Sequence, residues 1–181
     1  MINEYRNNKR HTKGTDPRET LEHDLEALFP LPYDEITMLE TYFQAHVEVQ
    51  LLSEETERLH FALDDAFFQK GDLVMDQRIL LQHGKTRETL LYAASLLLLE
   101  RLPPLIRASL PSQGVQPLGR LLHPVPTQQT LVECQRQQAG QFGVDYFDLD
   151  FQAPCLARTI LYSLQGPVML VHEIIPLRAT K

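Results

Sequence analysis

Apolar residues recur along this chain first with a helical period and then with a strand period. Leu21, Leu25 and Leu28 lie at helical spacing within Thr20 to Phe29. Asp34 is placed to cap a second short helix running from Glu35 to about Gln44. The period then changes to two. Val47, Val49 and Leu51 alternate with Glu48 and Gln50, which predicts a half-buried strand. Further strands are expected over His60 to Phe68, Val74 to Gln82, Thr89 to Leu98 and Thr130 to Gln137. A terminal hairpin should pair Leu156 to Leu164 with Val168 to Ile175 across Gln165-Gly166. Between the strands, Leu102-Pro-Pro-Leu-Ile-Arg-Ala-Ser-Leu reads as a short helix entered through prolines. Pro117-Leu-Gly-Arg-Leu-Leu opens another helical turn. The fold class implied is α+β: about six strands, mostly antiparallel, with helices covering one face and a ligand pocket. Residues 1–18 lack apolar periodicity and are expected to form a flexible tail, leaving 19–181 as a single domain.

Two charges interrupt the apolar strands. Arg78 stands in Met75-Asp-Gln-Arg-Ile-Leu-Leu-Gln, and Glu173 in Val168-Met-Leu-Val-His-Glu-Ile-Ile-Pro. Residues two apart share a strand face, so Glu173 has Val171 and Ile175 as neighbours and Arg78 has Leu80. A buried charge is costly unless paired or hydrogen-bonded. Such residues therefore build an internal ion pair or line a pocket, and the pocket is the expectation adopted. Taken singly, Arg78 would pass for a structural ion pair at a sheet edge, and Glu173 for a water-facing residue on an edge strand.

Composition narrows the classes. Of the 181 residues 43% are hydrophobic and 23% charged, as in an ordinary soluble globular protein. The net charge of -7, with no basic stripe, argues against a nucleic-acid partner. The longest apolar run, Leu90 to Leu99, falls short of the roughly 20 residues that span a bilayer. The polar N-terminus is no secretory signal, and a cytoplasmic location is expected. Cys134 and Cys155 have neither CxxC spacing nor a secretory context and read as reduced thiols. No Gly-rich phosphate loop, GxSxG elbow or HExxH helix occurs, and the histidines are scattered. His172, beside Glu173, must point to the opposite strand face. No metal and no other cofactor is expected. The acids Asp64-Asp65 and Asp145 to Asp150 read as solvated faces or loops.

Three segments, in order, resemble the chorismate pyruvate-lyase family: Gln77-Arg-Ile-Leu-Leu81, Gln116-Pro-Leu-Gly-Arg-Leu-Leu122 and Leu164-Gln-Gly-Pro-Val-Met-Leu-Val-His-Glu-Ile-Ile-Pro176. With Thr89 to Leu98 and the helix after it, the resemblance covers roughly Val47 to Pro176 and leans toward the cyanobacterial and mycobacterial branch. It implies a chorismate lyase-like fold and a cofactor-independent carbon–oxygen lyase. That enzyme would convert chorismate to 4-hydroxybenzoate and pyruvate for quinone biosynthesis (ubiquinone or plastoquinone). By resemblance, Arg78 would hold the ring carboxylate in a two-donor fork, and the backbone N–H of Leu118 would add a donor. Glu173 would be the catalytic residue, a general acid or hydrogen-bond donor at the para oxygen. Met38 maps onto a further substrate contact, although a methionine in an amphipathic helix is usually core packing. Ala94 stands where the enterobacterial enzymes carry a second arginine; Arg120, Arg158 or a group in the N-terminal helices could replace it.

A binding module is the competing class. The same fold serves as a small-molecule sensing domain in bacterial transcription regulators, behind a winged-helix DNA-binding domain. The residues ahead of Val47 include no basic recognition helix, so a self-contained regulator is not expected. A non-catalytic relative that senses an aromatic carboxylate stays open, as does a lyase acting on a related enolpyruvyl substrate. The chain is long enough to form its own core, and a monomer is expected.

Overall fold

The structure is a computed structural model, and it describes residues 35–62, 67–110, 117–122 and 125–177. The expected tail, the helix over Thr20 to Phe29, the Asp34 cap and the Asp64-Asp65 pair lie outside those residues. In chain order the elements are α1 (Glu35–Phe43), β1 (Val47–Arg58), β2 (Leu73–His83), β3 (Thr89–Leu98), a 3-10 turn (Leu99–Arg101), α2 (Pro104–Ser109), α3 (Leu118–Leu122), β4 (Gln128–Gln138), α4 (Gly140–Phe147), β5 (Pro154–Ser163) and β6 (Pro167–Pro176). The six strands form one sheet in the order β1-β2-β3-β6-β5-β4, and every neighbouring pair is antiparallel. This is the expected α+β class.

Local chemistry sets the connections. Glu40 on α1 accepts a bond from the Val47 amide at 3.1 Å and contacts His46 Nδ1 at 2.9 Å, so one carboxylate ties the helix to the start of β1. The Gly84 amide donates to His46 O at 2.8 Å, and a Cβ at Gly84 would lie 3.0 Å from that oxygen, too close for comfort. The β5–β6 hairpin closes with Leu164 N–H donating to Gly166 O at 3.0 Å, with Gly166 at φ 148°.

The central strands β3, β5 and β6 are buried along most of both faces, whereas the edge strands β1 and β4 are largely exposed. One face carries the main core. Ile79, Leu81, Leu91, Leu97, Leu156, Ile160, Val171 and Ile175 pack there with Met38 and Leu39 of α1 and Leu118, Leu121 and Leu122 of α3. The second face is covered in two patches. Leu80, Tyr92, Cys155 and Ile174 meet Phe147, Leu149 and Ala139 at α4, while Val74 and Leu98 meet Leu59 and Phe68 at the other end.

One local reading is corrected, and one element is new. The strand expected over His60 to Phe68 is absent from its described residues, 60–62 and 67–68, apart from a single bridge at Phe68, and β1 instead runs on to Arg58 through Ser53-Glu-Glu-Thr-Glu-Arg. That run is polar because β1 is an edge strand exposed along most of its second half, so neither face imposes alternation. Helix α4 is an element that periodicity does not announce, and Asp145, Asp148 and Asp150 within and after it are exposed, as expected of solvated faces or loops. It begins at Gly140, with φ 60°, and is capped by Asp148 at φ 51°, and Phe142 and Phe147 carry its packing face.

Candidate functional site

The site lies on the α1/α3 face, centred on Glu173. Strand register places it. Ile79 of β2 faces Ala93 of β3, which faces Glu173 of β6, which faces Arg158 of β5. Directly opposed residues in antiparallel strands point to one side of the sheet. Glu173 Oε2 therefore accepts a hydrogen bond from Arg158 Nε, and both side chains are fully shielded from water. Pairing satisfies the rule for buried charges: the cost of desolvating either ion is offset by the other.

A small cavity opens on this row, with a volume of about 10 Å³, room for about one water. Its floor is sheet: Ile79 and Leu81 of β2, Leu91, Ala93 and Ser95 of β3, Val171 and Glu173 of β6. Its remaining wall is Pro117 and Gly119, at the start of α3. Glu173 Oε1 is buried and has no hydrogen-bond partner among the described residues. One strand over, Gln77 faces Ser95 in register. Its amide nitrogen donates to Glu54 at 2.8 Å, and its buried Oε1 also has no hydrogen-bond partner among the described residues. The wall is thus apolar with carboxylate and hydroxyl oxygens set into it.

Arg78 does not join Glu173. It lies one residue from Ile79 along β2 and so points to the other side of the sheet, level with Ala94 and His172. There it is half exposed and bonded to Asp76 at 3.2 Å. That hydrogen bond, aided by the charge of Asp76, holds its guanidinium above the ordinary pKa. The neighbouring Tyr92 hydroxyl is pushed up by burial, an effect Arg78 opposes. A common pocket for the two charges is therefore corrected by parity. His172 does point away from Glu173, as strand alternation requires, and contacts Thr159 at 3.2 Å.

The other expected contacts are core residues. Met38 is 2% exposed and packs from α1, and the Leu118 side chain is equally buried; neither lines the cavity, although Pro117 and Gly119 on either side of Leu118 do. Arg120 is exposed. Arg158, considered only as a stand-in arginine, is the partner of Glu173, and Gln77 and Ser95 were not singled out at all. A signal for Arg158 was present: it stands seven residues before Gln165 as Glu173 stands seven after Gly166, so a hairpin turning at Gln165-Gly166 sets them opposite each other. Among the described residues no group of three or more His, Cys, Asp or Glu could hold a metal ion, and no helix is long and apolar enough to cross a membrane.

No protein-family model matches the chain, and no curated protein matches it. Solved structures do. It is similar to PhnF from Mycobacterium smegmatis, with a TM-score of 0.60 at 9% identity over 81% of this chain. It spans 65% of that longer PhnF chain. The effector domain of PhnF alone gives a TM-score of 0.58 at 10% identity, covering 79% of this chain and 88% of that one. A GntR-family transcriptional regulator from Bacillus cereus gives 0.53 at 9% identity, covering 72% and 91%. At such identities the likeness is one of fold, and it agrees with the expected chorismate lyase-like architecture. The expectation of a carbon–oxygen lyase is overturned: the similar structures are a transcriptional regulator and an effector domain.

Proposed function

We propose that this chain is a non-catalytic small-molecule-binding domain whose ligand occupies the Glu173 cavity. The observation that carries the reading is a buried carboxylate oxygen with no hydrogen-bond partner among the described residues, set in a wall that is apolar apart from Ser95 on the helix-covered face. Concave, mostly apolar sites with a few convergent polar groups are where small molecules bind. The likeness to the PhnF effector domain and to a GntR-family regulator supports a sensing role over a catalytic one. Because transcriptional regulators act on DNA, the expectation that nucleic acid has no part in this protein's role is withdrawn.

The cavity as it stands is too small for a metabolite, so binding requires a wall to move. The floor belongs to the hydrogen-bonded sheet, whereas Gly119 belongs to a five-residue helix and Pro117 immediately precedes it. Displacement of α3 opens the site, and the same displacement is the signal a sensing domain passes on. Ala93→Leu tests the reading, because the added side chain grows into the cavity floor. Saturable thermal stabilisation of the wild type by a small molecule should disappear in Ala93→Leu while the variant retains a cooperative melt. Equal stabilisation of both proteins would place binding elsewhere and sink the reading.

A further inference from the structure

Resting on that reading, we infer that the ligand is an apolar body carrying a hydroxyl or amine donor, and not a carboxylate or phosphate. Three arginines were candidates for holding an anion, and none stands on the cavity wall. Arg78 points to the opposite face, Arg120 is exposed, and Arg158 lies behind Glu173 and donates to it. Among the described residues, the one ionisable side chain that lines the cavity is Glu173. An anion entering here would meet a carboxylate at short range in a poorly solvated space, where like charges repel strongly.

Of the cavity-lining side chains, Glu173 offers a buried oxygen, Oε1, with no hydrogen-bond partner among the described residues, and it is an acceptor. Off the lining, Gln77 Oε1 is a second such acceptor, its amide nitrogen being used by Glu54. A buried acceptor without a partner is costly, and a donor brought by the ligand removes that cost. Ile79, Leu81, Leu91 and Val171 supply the apolar surroundings for the rest of the molecule. Arg158 engages Oε2, so Oε1 is the carboxylate oxygen left for a donor. Recognition is therefore opposite in sign to that of an aromatic acid.

Matched probes test this by calorimetry and thermal shift on the full chain: 4-hydroxybenzyl alcohol and tyramine as donor probes, 4-hydroxybenzoate as the acid. Binding of at least one donor probe should exceed that of the acid by tenfold or more. It should weaken about tenfold in Glu173→Leu combined with Arg158→Met, which removes the acceptor without stranding a charge. Glu173→Gln provides a second, isosteric variant, in which tyramine should lose more affinity than the neutral alcohol. Tighter binding of 4-hydroxybenzoate than of either donor probe would overturn the inference while leaving the sensing role standing. Donor binding unchanged in both variants would overturn it as well. No binding by any of the three probes would count against the sensing role, and the inference would fall with it.

Discussion

The two faces of the sheet treat similar charges in opposite ways. Glu173 and Arg78 each interrupt an apolar strand, yet Glu173 is completely buried against Arg158 while Arg78 is half exposed beside Asp76. Opposed residues tie Glu173 to Ile79, and Arg78 is the very next residue along β2, so one step along the backbone separates a core charge from a surface charge. Sequence context in a strand reports that a charge is unusual. Which side of the sheet it faces decides what the charge is for.

That contrast can be broken by removing one partner at a time. Arg158→Ala should have the largest effect, lowering stability in urea unfolding by about 3–5 kcal/mol, because Glu173 is left buried without its cation. Replacing both, Glu173→Leu with Arg158→Met, should recover most of that loss. A double variant as unstable as the single one would mean that the pair is worth more than two apolar side chains of similar size. On the second face, Gly143→Ala should cost about 1–3 kcal/mol, since a Cβ there would come within 2.1 Å of the Ala139 Cβ and push α4 off the sheet. A thermal melt unchanged from wild type would show that α4 yields freely. Arg78→Ala should change stability by about 1 kcal/mol or less, its ion pair being solvent-screened, and should leave any ligand affinity untouched. A loss of ligand binding in Arg78→Ala would return that residue to the site and undo the contrast between the faces.

The second face was also the less legible one. Its cover comes from α4, whose Gly140-Gln-Phe-Gly-Val-Asp-Tyr-Phe holds two glycines and no capping side chain, and so lacks the usual marks of a helix. The helix exists because Phe142 and Phe147 dock near Tyr92, with ring centroids of Phe142 and Tyr92 4.6 Å apart. Tertiary contact overrides weak local preference there. The main-core face, by contrast, is built from β2, β3 and β6, whose apolar runs marked them as strands, with β5 read from its place in the hairpin. The polar half of β1 failed for a related reason, since an exposed edge strand needs no apolar face.

Apolar pattern, caps and turn residues together marked the strands of the sheet core, the short helices α1, α2 and α3 and the terminal hairpin, and they set Glu173 apart as a charge in an apolar strand. The tertiary structure decided the rest: that Glu173 pairs with Arg158, that Arg78 turns to the far face, and that Glu173 lines a cavity between the sheet and α3. The physical reason is that side-chain alternation is a property of one strand, readable from its own residues. The identity of a cross-strand neighbour depends on register, and register is set by turns, bulges and pairing over the whole sheet. A shift of one residue exchanges the core face for the solvent face, and with it the chemistry of the site.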